Sequence, residues 1–296
     1  LLTPSSWRYP LKWVRGAIET QFFLDWGGNV LTNGVYLDVA NLPPNYLLTW
    51  FFYQLPWPYI LLLVFGIFLL TRRFKNLDVF TKFSLIFIFT IFTFFFLTTP
   101  VAYDGIRQYL FLIPFIIHIV SIAYSNLDNK VKNKFIKSFV FVLIISNLVY
   151  TQYSLYPYTY FYYNEFVDEE KISIDCEKIS GCGDWETDYW GVSGKAIVAN
   201  TISLVSDNKK IFSCNPSQVF TDYYTTENAV DRKNRFYVFT LHRPAPEGNL
   251  CDNNLKKYEE QDLLTSENCQ NIYTEKRKLR NVYINLSYLL ECNINY

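Results

Sequence analysis

The residues best suited to chemistry lie in three short strings. AYDGIRQYLFLIPF, residues 102–115, sets Tyr103, Asp104 and Arg107 at the start of an apolar run. Ionisable groups at a bilayer edge are costly unless they are paired, snorkel to water or serve a function. The (i, i+3) spacing allows a structural Asp–Arg pair. It equally suits an arginine that grips an anionic head group, because the planar guanidinium matches phosphate bidentately. LYPYTYFYYNEFV, residues 155–167, surrounds Asn164 and Glu165 with seven aromatics, Tyr156, Tyr158, Tyr160, Phe161, Tyr162, Tyr163 and Phe166. Such a set also makes an interfacial anchor. DWETDYWG, residues 184–191, alternates acids with aromatics, so that Asp188, Tyr189 and Trp190 suit stacking on a sugar as well as packing a domain edge. No GxSxG, phosphate-cradling glycine loop, HExxH or dinucleotide fingerprint is present. The chain has two histidines, His118 and His242, and neither a Cys–His cluster nor a CxxC pair, so no metal site and no cofactor are predicted. His118 lies inside an apolar run and reads as a polar group satisfied by a neighbour.

These strings are positioned by elements of two kinds. Half of the 296 residues are hydrophobic, with 26 Phe and 24 Tyr. That is more than a soluble surface readily hides. Acids and bases balance at 27 each, which excludes the basic footprint of a nucleic-acid binder. The apolar residues crowd into four segments: A within Tyr46–Thr71, B Phe83–Thr99, C Ile106–Tyr124 and D Phe135–Tyr153. A spanning helix needs ~20 mostly apolar residues. Pro56 and Pro58 should break segment A into an interfacial piece and a spanning helix. Arg72, Arg73 and Lys75 follow A, and Lys130, Lys132, Lys134 and Lys137 lie between C and D. The loop between B and C holds only Asp104 and Arg107. The positive-inside rule then puts the two basic loops in the cytoplasm and the C-terminal tail outside.

All six cysteines, Cys176, Cys182, Cys214, Cys251, Cys269 and Cys292, fall in that tail. Disulfides in an oxidising compartment are expected, with a pairing that spacing does not fix. In the tail, Ser193 marks the start of a helix that runs on through Val198, Ile202 and Val205. KKIFSC and RFYVFTLHR read as strands, and NIYTEKRK with NVYINLSYLL as a final hairpin. The reading is therefore an α-helical multi-pass membrane protein with a small C-terminal extracytoplasmic α/β domain. Residues 1–45 form an outer loop and interfacial segment, 46–154 about four transmembrane helices, and 155–296 the outer domain.

Taken together, four strings resemble the C-terminal part of a bacterial membrane glycosyltransferase of the GT-C type. That group includes the dolichyl-phosphate-mannose–protein mannosyltransferases and the transferases that add sugars to lipid A. FFLDWGGNVLTNGVYLDVANLPPNYLLTWFFYQLPWP resembles an outer loop of the family, and AYDGIRQYLFLIPF the start of a later helix, with Gln108 where an aromatic is usual. YPYTYFYYNEF resembles the segment after the last helix, and ETDYWGVSGKA the opening of the outer domain.

The resemblance implies transfer of a sugar from a polyprenyl-phosphate carrier to a glycan, lipid or protein acceptor, in a cell inner (plasma) membrane. No nucleotide sugar, nucleic acid or cofactor is involved, and no metal is assigned. Arg107 with Tyr103 and Asp104 would bind the donor phosphate. Asn164, Glu165, Asp188, Tyr189 and Trp190 are the candidates on the substrate side. The family's catalytic aspartate belongs to a first outer loop expected upstream of Leu1, so Asp25 and Asp38 are not assigned as the base. With no Met in the chain, the sequence reads as a fragment, inactive alone. The competing readings are a non-enzymatic membrane sensor or assembly protein with a ligand-binding outer domain, and a transporter. Charges at a helix mouth rather than at midplane argue against transport.

Overall fold

A computed structural model describes residues 4–22, 28–130, 133–172, 183–188, 191–204, 211–214, 235–241 and 268–293. They divide into two compact units, Leu1–Val30 with Leu37–Ile144, and Leu31–Tyr36 with Ile145–Tyr296.

Helices dominate the first unit. α1 (Pro4–Arg8) and α2 (Pro10–Phe22) precede a hairpin of β1 (Asn29–Thr32) and β2 (Val35–Asp38). The hairpin turns on Asn33 (φ 50°) and Gly34 (φ 77°), an Asn-Gly pair whose left-handed backbone matches the twist of two short strands. α3 (Tyr46–Gln54) stops where Pro56 holds Leu55 in extended backbone, φ −87° and ψ 138°. α4 (Trp57–Arg72) starts at once, with Pro58 in its first turn, where a missing N–H loses no helical bond. The expected proline break in segment A is thus present. α5 (Val79–Thr98) is capped by Asp78, which accepts the Thr81 amide at 3.0 Å and the Thr81 hydroxyl at 2.6 Å. It ends at Thr99 in the left-handed region, before Pro100. A 3-10 turn over Arg107–Leu112 leads into α6 (Ile113–Lys130), and α7 (Lys134–Leu155) follows.

Among the described residues, two helical stretches are long and apolar enough to cross a membrane, Val79–Thr98 and Arg107–Leu127. Trp57–Arg72 is apolar but has 16 residues. These stretches do not hide their apolar side chains: Val64 is 63%, Phe96 59% and Leu97 74% exposed. α4 and α5 each pack on α6. Gly66 sets the first contact, since a Cβ there would lie 2.8 Å from Ile119 Cγ2 and 3.0 Å from the Ile119 carbonyl oxygen. Phe80, Phe83 and Phe87 make the second, against His118 and Phe115. His118 Nε2 lies 3.0 Å from the Thr81 hydroxyl, so the ring has the polar neighbour expected of it.

The second unit carries a four-stranded sheet in the order β3-β4-β6-β5. β3 (Ile211–Cys214) runs parallel to β4 (Arg235–Leu241). β6 (Val282–Asn293) is antiparallel to β4 and to β5 (Cys269–Leu279). As an inner strand β6 is covered on both faces, so Leu286, Ser287, Tyr288, Leu289 and Leu290 are all buried in succession. α8 (Gly194–Leu204) packs on β5 and β6 and buries Ile197 and Val198. Over the described residues the helix, both strands and the final hairpin stand where the sequence placed them, while Val205, Lys209, Lys210, His242 and Arg243 lie outside those residues. Cys269 and Cys292 face each other in register and form a disulfide. Cys214 lies in β3. Cys176, Cys182 and Cys251 lie outside the described residues.

Candidate functional site

In the first unit, the turn before α6 has a backbone that few residues adopt. Asp104 (φ 56°) and Gly105 (φ 69°) are both left-handed. Only glycine fits at 105. A Cβ there would lie 2.7 Å from Gln54 Oε1 and 2.9 Å from Trp50 Cε3. Gln54 also accepts the Ile106 amide at 3.2 Å. The wall that fixes the turn is therefore α3, whose Tyr46 and Trp50 are each 1% exposed. Phe95 extends the aromatic core from Tyr46 to Tyr109, with ring centres 6.2 and 5.7 Å away.

On this frame Arg107 Nη1 donates to Asp104 Oδ2 at 2.9 Å, and the guanidinium carbon lies 5.9 Å from the centre of the Tyr103 ring. The three residues joined in the sequence reading are together. Arg107 is 44% exposed and Asp104 11%. An ion pair this accessible contributes about 0–1 kcal/mol. Its main effect is to orient a cation at the surface of the turn.

In the second unit, Asp188 is fully buried. Its carboxylate accepts the Val192 amide at 3.0 Å and the Ser193 amide at 2.9 Å, together with the Ser193 and Tyr160 hydroxyls. Burial pushes its carboxyl up, while the four donors pull the other way. Asp188 thereby ties the start of α8 to the aromatic segment. Asn164 is also fully buried. Its side chain accepts the Phe166 amide at 3.1 Å, closing a local turn. Glu165 is exposed, with Asn147 Nδ2 3.5 Å away. Tyr189 and Trp190 lie outside the described residues, as does Asp25. Asp38 caps a short turn by accepting the Ala40 amide at 3.0 Å. The seven aromatics split: Tyr158, Phe161 and Tyr163 are buried, while Tyr156 is 73% and Phe166 55% exposed. Trp185 packs on Tyr163, ring centres 5.2 Å apart, so this part of the DWETDYWG string is core.

Two clusters were not visible in the sequence. Arg280, left-handed at φ 52° in the β5–β6 turn, donates to the carbonyls of Tyr163, Asn164 and Val167 at 3.3, 2.6 and 2.8 Å. It also pairs with Glu169 at 2.5 Å. Glu275 is 5% exposed. It accepts from Tyr158 at 3.2 Å and Tyr273 at 2.9 Å, and pairs with Arg277 at 2.6 Å. Arg277 in turn donates to the Tyr156 carbonyl at 2.9 Å and lies over the Tyr158 ring. Burial first, then the Glu275 carboxylate, push the Tyr158 phenol up. Tyr273 is pushed up to about 12, again chiefly by burial. Nothing in the local sequence ties Arg280 or Glu275 to the 156–169 segment, because Asn164 and Tyr158 are more than a hundred residues away from them. No group of acids, histidines and cysteines arranged to hold a metal occurs among the described residues.

No protein-family model, curated protein or solved structure matches the chain. Its function is therefore argued from its own residues and geometry.

Proposed function

We propose that this chain is the C-terminal part of a membrane glycosyltransferase of the GT-C type, which moves a sugar from a polyprenyl-phosphate carrier to an extracytoplasmic acceptor. The observation that carries the reading is the Asp104–Arg107 turn. A cation held by its neighbour, 44% exposed, sits at the start of an apolar stretch long enough to span a bilayer. A lipid phosphate in the outer leaflet would meet a guanidinium already oriented for it. Two further observations support the membrane part. The helices of the first unit leave large apolar side chains open, as a lipid-facing surface does. The Cys269–Cys292 disulfide suits a tail in an oxidising compartment.

In the proposed reaction the acceptor hydroxyl loses its proton to a base and attacks the anomeric carbon of the sugar. The bond from that carbon to the carrier phosphate breaks, and the phosphate leaves with the electron pair. Arg107 stabilises the charge that develops on it. The base is not assigned to any residue of the chain. Of the substrate-side candidates, Glu165 faces solvent. Asn164 and Asp188 act by holding backbone in place.

The test is donor capture. The chain is reconstituted in vesicles with a photoreactive polyprenyl-phosphate sugar and irradiated. Labelling that unlabelled polyprenyl phosphate displaces, and a nucleotide sugar does not, is the expected result. Labelling competed by the nucleotide sugar, or none above that of an unrelated membrane protein, would overturn the reading.

A further inference from the structure

The first unit holds an apolar groove with a basic end. α4 and α5 are consecutive, yet each leans on α6, and a cavity of about 510 Å³ opens beside α5, with the end of α4 as part of its wall. Thr71, Phe74, Ile86, Phe89, Thr93 and Leu97 line it. From Ile86 to Leu97 it follows α5 for roughly 16 Å at 1.5 Å per residue. That is about the depth of one leaflet of a ~30 Å hydrocarbon core.

The chain between Thr71 and Phe83 carries four cations, Arg72, Arg73, Lys75 and Lys82, and one acid, Asp78. Phe74, between two of the cations, is part of the groove wall. Asp78 is occupied as the cap of α5 through Thr81. Arg72 is held against the helix, with its guanidinium 4.1 Å from the centre of the Phe68 ring. Lys82 donates to the Lys75 carbonyl at 3.1 Å, which folds the basic segment back on itself. Among the described residues none of the four cations forms an ion pair, and Arg72, Arg73 and Lys75 are exposed. Apolar length and positive end thus match the two parts of one molecule.

We infer that the groove beside α5 seats one anionic phospholipid, its acyl chain along Ile86–Leu97 and its phosphate at Arg72, Arg73 and Lys75. The inference rests on the membrane part of the proposed function and not on sugar transfer. The occupant is a lipid of the leaflet on the basic side, separate from a donor at Arg107.

The test uses the full chain in phosphatidylcholine vesicles that carry a small fraction of spin-labelled phosphatidylglycerol or of spin-labelled phosphatidylcholine. Electron spin resonance reads the immobilised lipid. The expected result is a several-fold preference for phosphatidylglycerol that inorganic phosphate does not abolish. Arg72→Gln and Lys75→Gln should each remove a large part of that preference. Thr93→Phe, which fills the groove, should reduce the immobilised phosphatidylglycerol with the cations intact. Lys134→Gln, at the start of α7, should leave the preference unchanged. Equal immobilisation of the two lipids by a chain that floats with the vesicles would overturn this inference alone. The same holds if Lys134→Gln and Arg72→Gln lower the preference equally, or if inorganic phosphate displaces the lipid. A chain that does not float with the vesicles would overturn the membrane reading and this inference together.

Discussion

Arg280→Ala should loosen the segment 163–169 more than any nearby surface change. Arg280 is the donor to three backbone carbonyls and one carboxylate, the shortest contacts being 2.5 Å to Glu169 and 2.6 Å to Asn164. A hydrogen bond to a charged group contributes about 1.5–3 kcal/mol. The Arg280 and Glu169 side chains are 22% and 19% exposed, so water partly replaces what the mutation removes. The net loss is about 2–4 kcal/mol. The backbone adds a second handle. Arg280 has φ 52°, a conformation that costs a non-glycine residue roughly 1 kcal/mol or more. Arg280→Gly should therefore be less damaging than Arg280→Ala by about 1 kcal/mol, and Arg280→Lys should fall between alanine and the natural chain. Hydrogen exchange of the amides of residues 163–172, in the detergent-solubilised chain, reads the local opening. Exchange should quicken roughly 30- to 1000-fold in Arg280→Ala. Unchanged exchange in both the alanine and glycine variants would show that the four contacts hold nothing, and the clamp would have to be abandoned.

Three other expectations follow from the same physics. Asp188→Ala leaves four donors without their acceptor, the two of Ser193 buried and those of Val192 and Tyr160 part-buried; the unit should lose about 2–4 kcal/mol, and Asp188→Asn less, measured by denaturant unfolding. Gly66→Leu drives a side chain into Ile119 and its backbone and should cost about 1–3 kcal/mol in thermal unfolding, whereas Val64→Leu on the exposed side should cost nothing measurable. The Tyr273 phenol is raised from its ordinary 10.0 to about 12, so the folded state holds that proton more tightly than the unfolded one. Its contribution is complete below pH 10 and is lost as pH rises through 12. An alkaline titration of stability should show this fall, and Tyr273→Phe should flatten it.

Much of the fold could be read from local pattern, because the signals were local. Pro56 ends α3 through the residue before it, and Asp78 caps α5 three residues from Thr81. The final hairpin and α8 follow from side-chain alternation and a Ser193 start. The Asn33–Gly34 hairpin was equally legible from its turn residues, yet resemblance to an outer loop left it unread. The site was legible only where its parts are close in sequence. Tyr103, Asp104 and Arg107 are brought together by a turn whose glycine is in the string itself. Glu275 with Tyr158, and Arg280 with Asn164, meet through chain reversals that no spacing announces. The buried state of Asp188 and Asn164 was hidden for a related reason. Acids among aromatics look the same in a string whether they face a sugar or the donors of a neighbouring helix.

The central claim is that Arg107 holds the carrier phosphate, and one comparison tests it directly. Donor capture, and the proposed transfer to acceptor, are measured for the natural sequence, Arg107→Lys and Arg107→Ala, each normalised to folded, membrane-inserted protein. A charge-assisted contact that the bound donor shields from water contributes ~2–4 kcal/mol, or ~30- to 1000-fold in rate. Lysine keeps the charge but loses the fork. Both variants should therefore fall by that order per folded molecule, while the amount of folded protein stays close to natural, because the Asp104 pair is exposed and contributes little stability. If Arg107→Ala lowers only the yield of folded chain and each folded molecule keeps near-normal capture and transfer, Arg107 is an anchor and the assignment fails.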